Sequence, residues 1–202
     1  MTVAPGPSRN LLKHTSGNPL QRWLLDRFHA TVSDLVAEIL PQGGTILDVG
    51  CGEGFVANYL VARHPRLTVS GLDGSGDALR AAATSAAGGR LARCDAARLP
   101  VRDRSTDLAI CLEVLEHLHA PDLTFRELRR VTRGPVIVST PNQPFFAGAN
   151  LARLKNLSTW GDDPEHVQWW TAAAFVQKVG GWLAIDQVVL RFPWTIVVGR
   201  RA

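Results

Sequence analysis

The stretch Thr45 to Phe55, T-I-L-D-V-G-C-G-E-G-F, constrains this chain more than any other. An apolar run closes on Asp48 and Val49, and three glycines follow at alternate positions: Gly50, Gly52 and Gly54. Phe55, Val56, Tyr59 and Leu60 then recur at helical spacing, so the stretch reads as buried parallel strand, tight turn and helix start. Such a turn lies at the carboxyl end of a strand, where open α/β sheets bind ligands, and glycine lets the chain turn sharply and a ligand lie on the backbone. A dinucleotide fingerprint is G-x-G-x-x-G, which admits a pyrophosphate to the helix N-terminus. Here Phe55 stands at the third glycine position and Glu53 adds negative charge, so the loop suits a cationic ligand better than a pyrophosphate.

The rest of the chain alternates in the same way. The apolar runs predict strands at 45–49, 67–72, 90–94, 107–112 and 136–140, with helices around 54–63, 75–87 and 121–131. This is a doubly wound, largely parallel sheet of the α/β class. Leu183 to Arg191 and Thr195 to Gly199 are two further apolar runs, and a link of only Phe192, Pro193 and Trp194 demands an antiparallel hairpin. Ahead of the sheet, Asn18 caps a helix with Pro19 at its first position. Leu20, Trp23, Leu24, Phe28, Val32, Leu35, Val36 and Ile39 form its apolar stripe. The expected organisation is a flexible start over residues 1–17 and one domain over 18–202, with an N-terminal helix at 18–41.

At 202 residues, 46% apolar and 20% charged, the chain has the length and balance of one globular domain. No apolar run approaches the roughly 20 residues of a membrane span, and the first residues lack a signal-peptide core, so a cytoplasmic location is expected. Cys51, Cys94 and Cys111 form no C-x-x-C pair and read as reduced thiols. The net charge of +4 comes from arginines scattered along the chain, with no basic run interleaved with aromatics, which argues against nucleic acid.

The acid-G-x-G-x-G loop resembles motif I of the class I S-adenosylmethionine-dependent methyltransferases, in the small-molecule branch of the type 11 and type 12 domains. Four later segments resemble the same family in order: Gly71-Leu72-Asp73-Gly74-Ser75, Cys94-Asp95-Ala96 with Leu99-Pro100, Cys111-Leu112-Glu113-Val114-Leu115-Glu116-His117-Leu118, and the antiparallel last strand. The resemblance implies a seven-stranded Rossmann-like sheet and S-adenosyl-L-methionine as cofactor. Asp48, Gly50, Cys51 and Gly52 would form the loop under it, and Asp73 with Gly74 would hold its ribose. Asp95 and Ala96 would read its adenine, while Leu112 and Glu113 would line its methionine end. Asp95 has a second reading, as a cap on the turn before Leu99.

A sulfonium methyl group is already electrophilic, so a base is needed only for a poorly acidic hydroxyl or a protonated amine. The candidates at the carboxyl edge are His117, His119, His166, Glu113 and Glu116, with His166 and His117 the expected catalytic pair. Glu116 and His117 also read as a structural pair tying down the helix after strand four. His166 lies in 141–170, a long aperiodic segment with Phe145, Phe146, Arg153, Trp160, Asp162, Asp163, Trp169 and Trp170, which reads as an acceptor-side lid. Its aromatics suit an amphipathic or ring-bearing small-molecule acceptor. Thr171 then caps a helix over 172–179 that Gly180-Gly181 stops.

The chain lacks the [DNS]-P-P-[FY] turn of nucleic acid amino-methylation and the Pro-Cys of cytosine carbon methylation. Glu113 and Asn142 are too few for a catechol-type metal site, so no metal is expected. An RNA or protein methyltransferase and a silent cofactor-binding subunit stand as alternatives. A monomer and a homodimer fit equally.

Overall fold

The computed structural model describes residues 9–84, 90–143, 148 and 166–201. Among these, β1 (Gly44–Val49), β2 (Leu67–Asp73), β3 (Leu91–Arg93), β4 (Leu108–Leu112), β5 (Val136–Pro141), β6 (Ala184–Arg191) and β7 (Trp194–Arg200) form one sheet, ordered β3-β2-β1-β4-β5-β7-β6. The first five pair in parallel, whereas β7 runs antiparallel to both β5 and β6. This is the doubly wound sheet with an antiparallel hairpin strand that the sequence patterning implies. Strand order reverses between β1 and β4, so the loops after β1, β2 and β4 converge on one crevice at the carboxyl edge.

Alternate strand residues sort to two apolar layers. Ile46, Leu108, Ile110, Ile137 and Ile196 pack beneath α2 (Pro19–Ile39) and α3 (Phe55–Arg63), through Phe28, Val32, Val36 and Leu60. Leu47, Val49, Ala109, Cys111, Val138 and Val197 face α5 (Pro121–Val131) and α6 (Ala172–Gly180), through Phe125, Leu128, Phe175 and Val179. Between them, α4 (Gly76–Ala83) packs on β2 and β3 and ends earlier than the expected 87; residues 85–89 lie outside the described ones. Because β4 is buried on both faces it reads as a continuous apolar run, and β5, equally buried, opens with Val136 to Val138 and continues with the buried hydroxyls of Ser139 and Thr140.

Two helix starts follow the capping logic of the sequence. Asn18 Oδ1 accepts from Gln21 N at 3.1 Å, and Thr171 Oγ1 accepts from Ala174 N at 3.2 Å. The apolar stripe of α2 needs correction at its start, since Leu20 and Trp23 are each 51% exposed and the buried face begins at Leu24. Trp23 instead carries the Arg27 guanidinium over its ring at 4.5 Å. Within the start, where the sequence signals no element, Arg9–His14 form α1.

Candidate active site

The glycine loop takes its shape from hydrogen bonds that its own amides make. Gly50 N and Cys51 N both donate to Leu72 O, at 2.7 and 3.0 Å, and Gly54 N donates to Cys51 O at 2.9 Å. Gly52 N donates to Asp73 Oδ2 at 2.8 Å, while Ser75 N donates to Asp73 Oδ1 at 2.7 Å. Four loop amides are thereby committed within the protein, which weakens the loop as a phosphate cradle. Gly50, Gly52 and Gly54 have φ of 78°, 53° and 79°, the left-handed region that favours glycine. Glu53, whose charge the sequence places in the loop, is buried and accepts from the Asn10 side-chain amide of α1. The His14 ring of the same helix stacks on Phe55, with centroids 3.9 Å apart and planes 3° off parallel. Helix α1 thus closes over the start of α3.

Beside this loop opens a cleft of about 830 Å³ at the carboxyl edge. Gly50, Gly52, Asp73, Gly74, Asp95, Ala96, Leu112 and Glu113 all line it, as does His117. Asp48 and Cys51 do not; they lie beneath the loop, 3% and 8% exposed. Asp48 Oδ2 has no hydrogen-bond partner there, and burial, with the Asp73 charge added, pushes the Asp48 carboxyl up to about 7. Burial also pushes the Cys51 thiol well up, followed in effect by the charges of Asp48 and Asp73, so Cys51 stays protonated. Its sulfur explains the neighbouring glycine, because a Cβ on Gly71 would sit 2.7 Å from Cys51 Sγ. All three cysteines are free thiols, as their spacing implies.

At the end of β3, Asp95 Oδ1 accepts from Ala97 N at 2.9 Å, the turn-capping geometry that was its second reading. Beyond it, Arg130 fastens residues 99–103 to α5. Its guanidinium donates to Leu99 O at 3.0 Å and Val101 O at 2.7 Å while pairing with Glu127 and Asp103. At the end of β4, Glu113 adopts a φ of 59°, strained for a side chain with a Cβ. Two donors accompany that conformation: Ser139 Oγ reaches Glu113 Oε1 at 2.8 Å, and Trp194 Nε1 reaches Oε2 at 2.6 Å. The carboxylate is therefore anchored from β5 and β7. Asn142 is also engaged, its Oδ1 accepting from Ala172 N at 2.9 Å at the head of α6.

His117 and His166 come together. Their ring centroids lie 4.9 Å apart at 64°, edge to face. Glu116 completes a cluster in which one ligating atom from each residue lies within 4.8 Å of the others. His117 faces the cleft, whereas His166 and Glu116 are 5% and 1% exposed. His119 is exposed. The backbone fixes the cluster, since Val167 N and Gln168 N donate to Glu116 O at 2.8 and 3.0 Å, and Gln168 Nε2 reaches Leu118 O at 3.2 Å. Phe145, Phe146, Asn150, Arg153, Trp160, Asp162 and Asp163 lie outside the described residues. Asn10, Ser139 and Trp194 belong to the site without a sequence motif to mark them; only the position of Trp194 beside the hairpin turn places it near the carboxyl edge.

Comparison with known proteins agrees with this geometry. Residues 47–137 match a family described as a methyltransferase domain. Over 113 residues the chain is 35% identical to an uncharacterized methyltransferase of Mycobacterium sp. (strain JLS), covering 54% of this chain and 44% of that protein. Over 139 residues it is 30% identical to a demethylmenaquinone methyltransferase of Thermotoga maritima, covering 66% of this chain and 59% of the relative. The matches thus span about half the length of these relatives. Among solved structures, magnesium protoporphyrin IX methyltransferase from Synechocystis PCC 6803 with bound SAH superposes with a TM-score of 0.67 at 21% identity. That match covers 94% of this chain and 91% of the other, and establishes likeness of fold.

Proposed function

We propose that this chain, which belongs to the class I S-adenosylmethionine-dependent methyltransferases, transfers a methyl group from S-adenosyl-L-methionine to a small-molecule acceptor through an oxygen, nitrogen or carbon nucleophile. The observation that carries this reading is the cleft in which Asp73, Asp95 and Glu113, at or just beyond the ends of the parallel strands β2, β3 and β4, surround the glycine loop that follows β1. The cofactor supplies an activated sulfonium methyl, and the protein's task is alignment and exclusion of water. In this reading Gly50 and Gly52 let the cofactor lie on the backbone, with Asp48 and Cys51 shaping the loop from below. Asp73 and Gly74 take the ribose hydroxyls, Asp95 and Ala96 the adenine edge, and Leu112 and Glu113 the methionine end.

A fourfold assignment of this kind is tested by ligand-dependent melting. S-adenosylhomocysteine at a hundredfold excess over its dissociation constant should stabilise the protein by about 2 to 3 kcal/mol. A shift with NAD and none with S-adenosylhomocysteine would remove the assignment.

On the acceptor side we place His117 at the cleft wall, His166 behind it, and the segment 141–170 as a lid. Both histidines serve to activate the nucleophile. His117→Ala and His166→Ala should each lower methyl transfer at least tenfold with S-adenosylhomocysteine affinity unchanged, a ratio worth about 1.4 kcal/mol in the transition state. Wild-type turnover in both variants would take the pair out of the chemistry. Two relatives are named for O-methylation, of a malonyl-acyl-carrier protein and of fatty acids, which favours a small or carrier-borne acceptor over RNA. An RNA or protein acceptor and a silent cofactor-binding subunit are the competing readings, and release of S-adenosylhomocysteine with a small-molecule acceptor decides against both. No described helix is long and apolar enough to cross a membrane, and we place the reaction in the cytoplasm, in a monomer or homodimer.

A further inference from the structure

We infer that Glu116, His117 and His166 form a site for a divalent transition metal, with zinc the best match, that takes a hydroxyl-bearing acceptor as its fourth ligand. The inference rests on the reading that the cleft is a methyl-transfer site and names how the two histidines activate the nucleophile.

Two imidazoles and one carboxylate, with ligating atoms within 4.8 Å of one another, are the donor set of many three-residue catalytic zinc sites. Zinc bonds of about 2.0 to 2.1 Å put tetrahedral ligands about 3.4 Å apart, so ring and carboxylate rotations moving the donors by about 1 Å complete the cage. The donors are shielded from bulk water, Glu116 being 1% exposed and His166 5%. The donors are also preorganised, because Glu116 O accepts from both Val167 N and Gln168 N, which pins the residues after His166 against the turn that bears Glu116 and His117. This cluster, which the sequence alone does not foreshadow, is separate from the place a catechol-type metal would take, where Glu113 and Asn142 are engaged by Ser139, Trp194 and Ala172.

Of the three, His117 lines the cleft together with Leu112 and Glu113, so an acceptor held in the cleft would reach a metal from the His117 side. A metal there would lower the pKa of a coordinated hydroxyl toward neutrality, as it does for water. A carboxylate or unprotonated amine acceptor gains nothing from this, which selects an alcohol or phenol. The acceptor hydroxyl gives its proton to solvent and its oxygen forms the new bond to the methyl carbon. The carbon–sulfur bond breaks with its electron pair left on sulfur.

The test is equilibrium dialysis of the full chain against zinc, followed by metal analysis, with cobalt substitution read by visible absorption. About one zinc per chain is expected, bound at least tenfold more weakly in His117→Ala, His166→Ala and Glu116→Gln than in wild type or in His119→Ala. Binding that is absent, or equal in His117→Ala and His119→Ala, overturns the site. Should the buried variants fail to fold, the cobalt spectrum of the wild-type chain decides alone: tetrahedral-type visible bands support the site, and the spectrum of hexaaquo cobalt overturns it. Melting with S-adenosylhomocysteine is run on the same metal-free samples. A retained ligand shift without metal binding sinks the metal site and leaves the cofactor reading intact, while loss of the ligand shift sinks the cofactor reading itself.

Discussion

Gly50→Ala should abolish stabilisation by S-adenosylhomocysteine and destabilise the protein by about 2 to 5 kcal/mol, read from urea denaturation and ligand-dependent melting. Two independent costs add. A φ of 78° places an L side chain in the left-handed region, at about 1 to 2 kcal/mol. The new Cβ would also lie 2.2 Å from Val114 Cγ2, so Val114, itself a cleft residue, must move. The loop cannot yield to relieve the contact, because Gly50 N and Cys51 N are both held by Leu72 O. A double variant, Gly50→Ala with Val114→Ala, separates the two costs: it should recover the steric part and keep the backbone part. Gly52→Ala serves as the milder contrast, since among the described residues its Cβ would meet the end of the Asn10 side chain, the nitrogen at 2.9 Å, with a φ of 53°. Equal losses at both glycines would mean that loop strain alone, and not the wall formed by Val114, sets the sensitivity.

What the sequence discloses and what it hides follows from the range of the interactions involved. Strand β4 is legible because burial on both faces requires apolar residues at every position, and β1 and β5 because Ile46, Leu47 and Val49 and the run Val136 to Val138 carry the same signal over part of each strand. The glycine loop and the acids at the strand ends are legible for a related reason, since each answers to its own strand end. Helix α1 is not, because six residues are too few to be helical on their own pattern and are held by Asn10 on Glu53 and His14 on Phe55, more than forty residues away. The pairing of Trp194 with Glu113 spans 81 residues and depends on β7 inserting beside β5. Glu53 is the converse case: its charge is legible in the loop, but its burial under α1 depends on Asn10, 43 residues away. His117 and His166 each stand out by their places along the chain, but their meeting depends on the backbone bonds from Val167 and Gln168 to Glu116.

Asp48→Asn should leave stability nearly unchanged at about pH 4 and raise it by about 4 kcal/mol at about pH 7.5, measured by urea denaturation of the cofactor-free protein. Burial, reinforced by the Asp73 charge, lifts the Asp48 carboxyl from 3.8 to about 7. A carboxyl raised on folding holds its proton more tightly in the folded state, so its contribution is complete below pH 3.8 and is lost as pH climbs through about 7. His29 works in the opposite sense across an overlapping range. Burial, with His14 and Arg63 nearby, lowers its imidazole from 6.5 to about 4, so the folded state needs it neutral and gains about 3 kcal/mol as pH rises from about 4 to 6.5. The lowered carboxyls, Asp107 held down first by the Thr45 backbone amide and Glu127 first by Arg130, titrate below their usual range and leave this window undisturbed. Wild-type stability should therefore be almost level from about pH 4.5 to 6.5, because two buried groups of opposite sign offset each other. Removing either exposes the other: Asp48→Asn should show stability rising with pH, and His29→Gln stability falling. Parallel curves for wild type and Asp48→Asn would mean that Asp48 is ionised in the folded protein throughout, and that the glycine loop rests on a charged carboxylate.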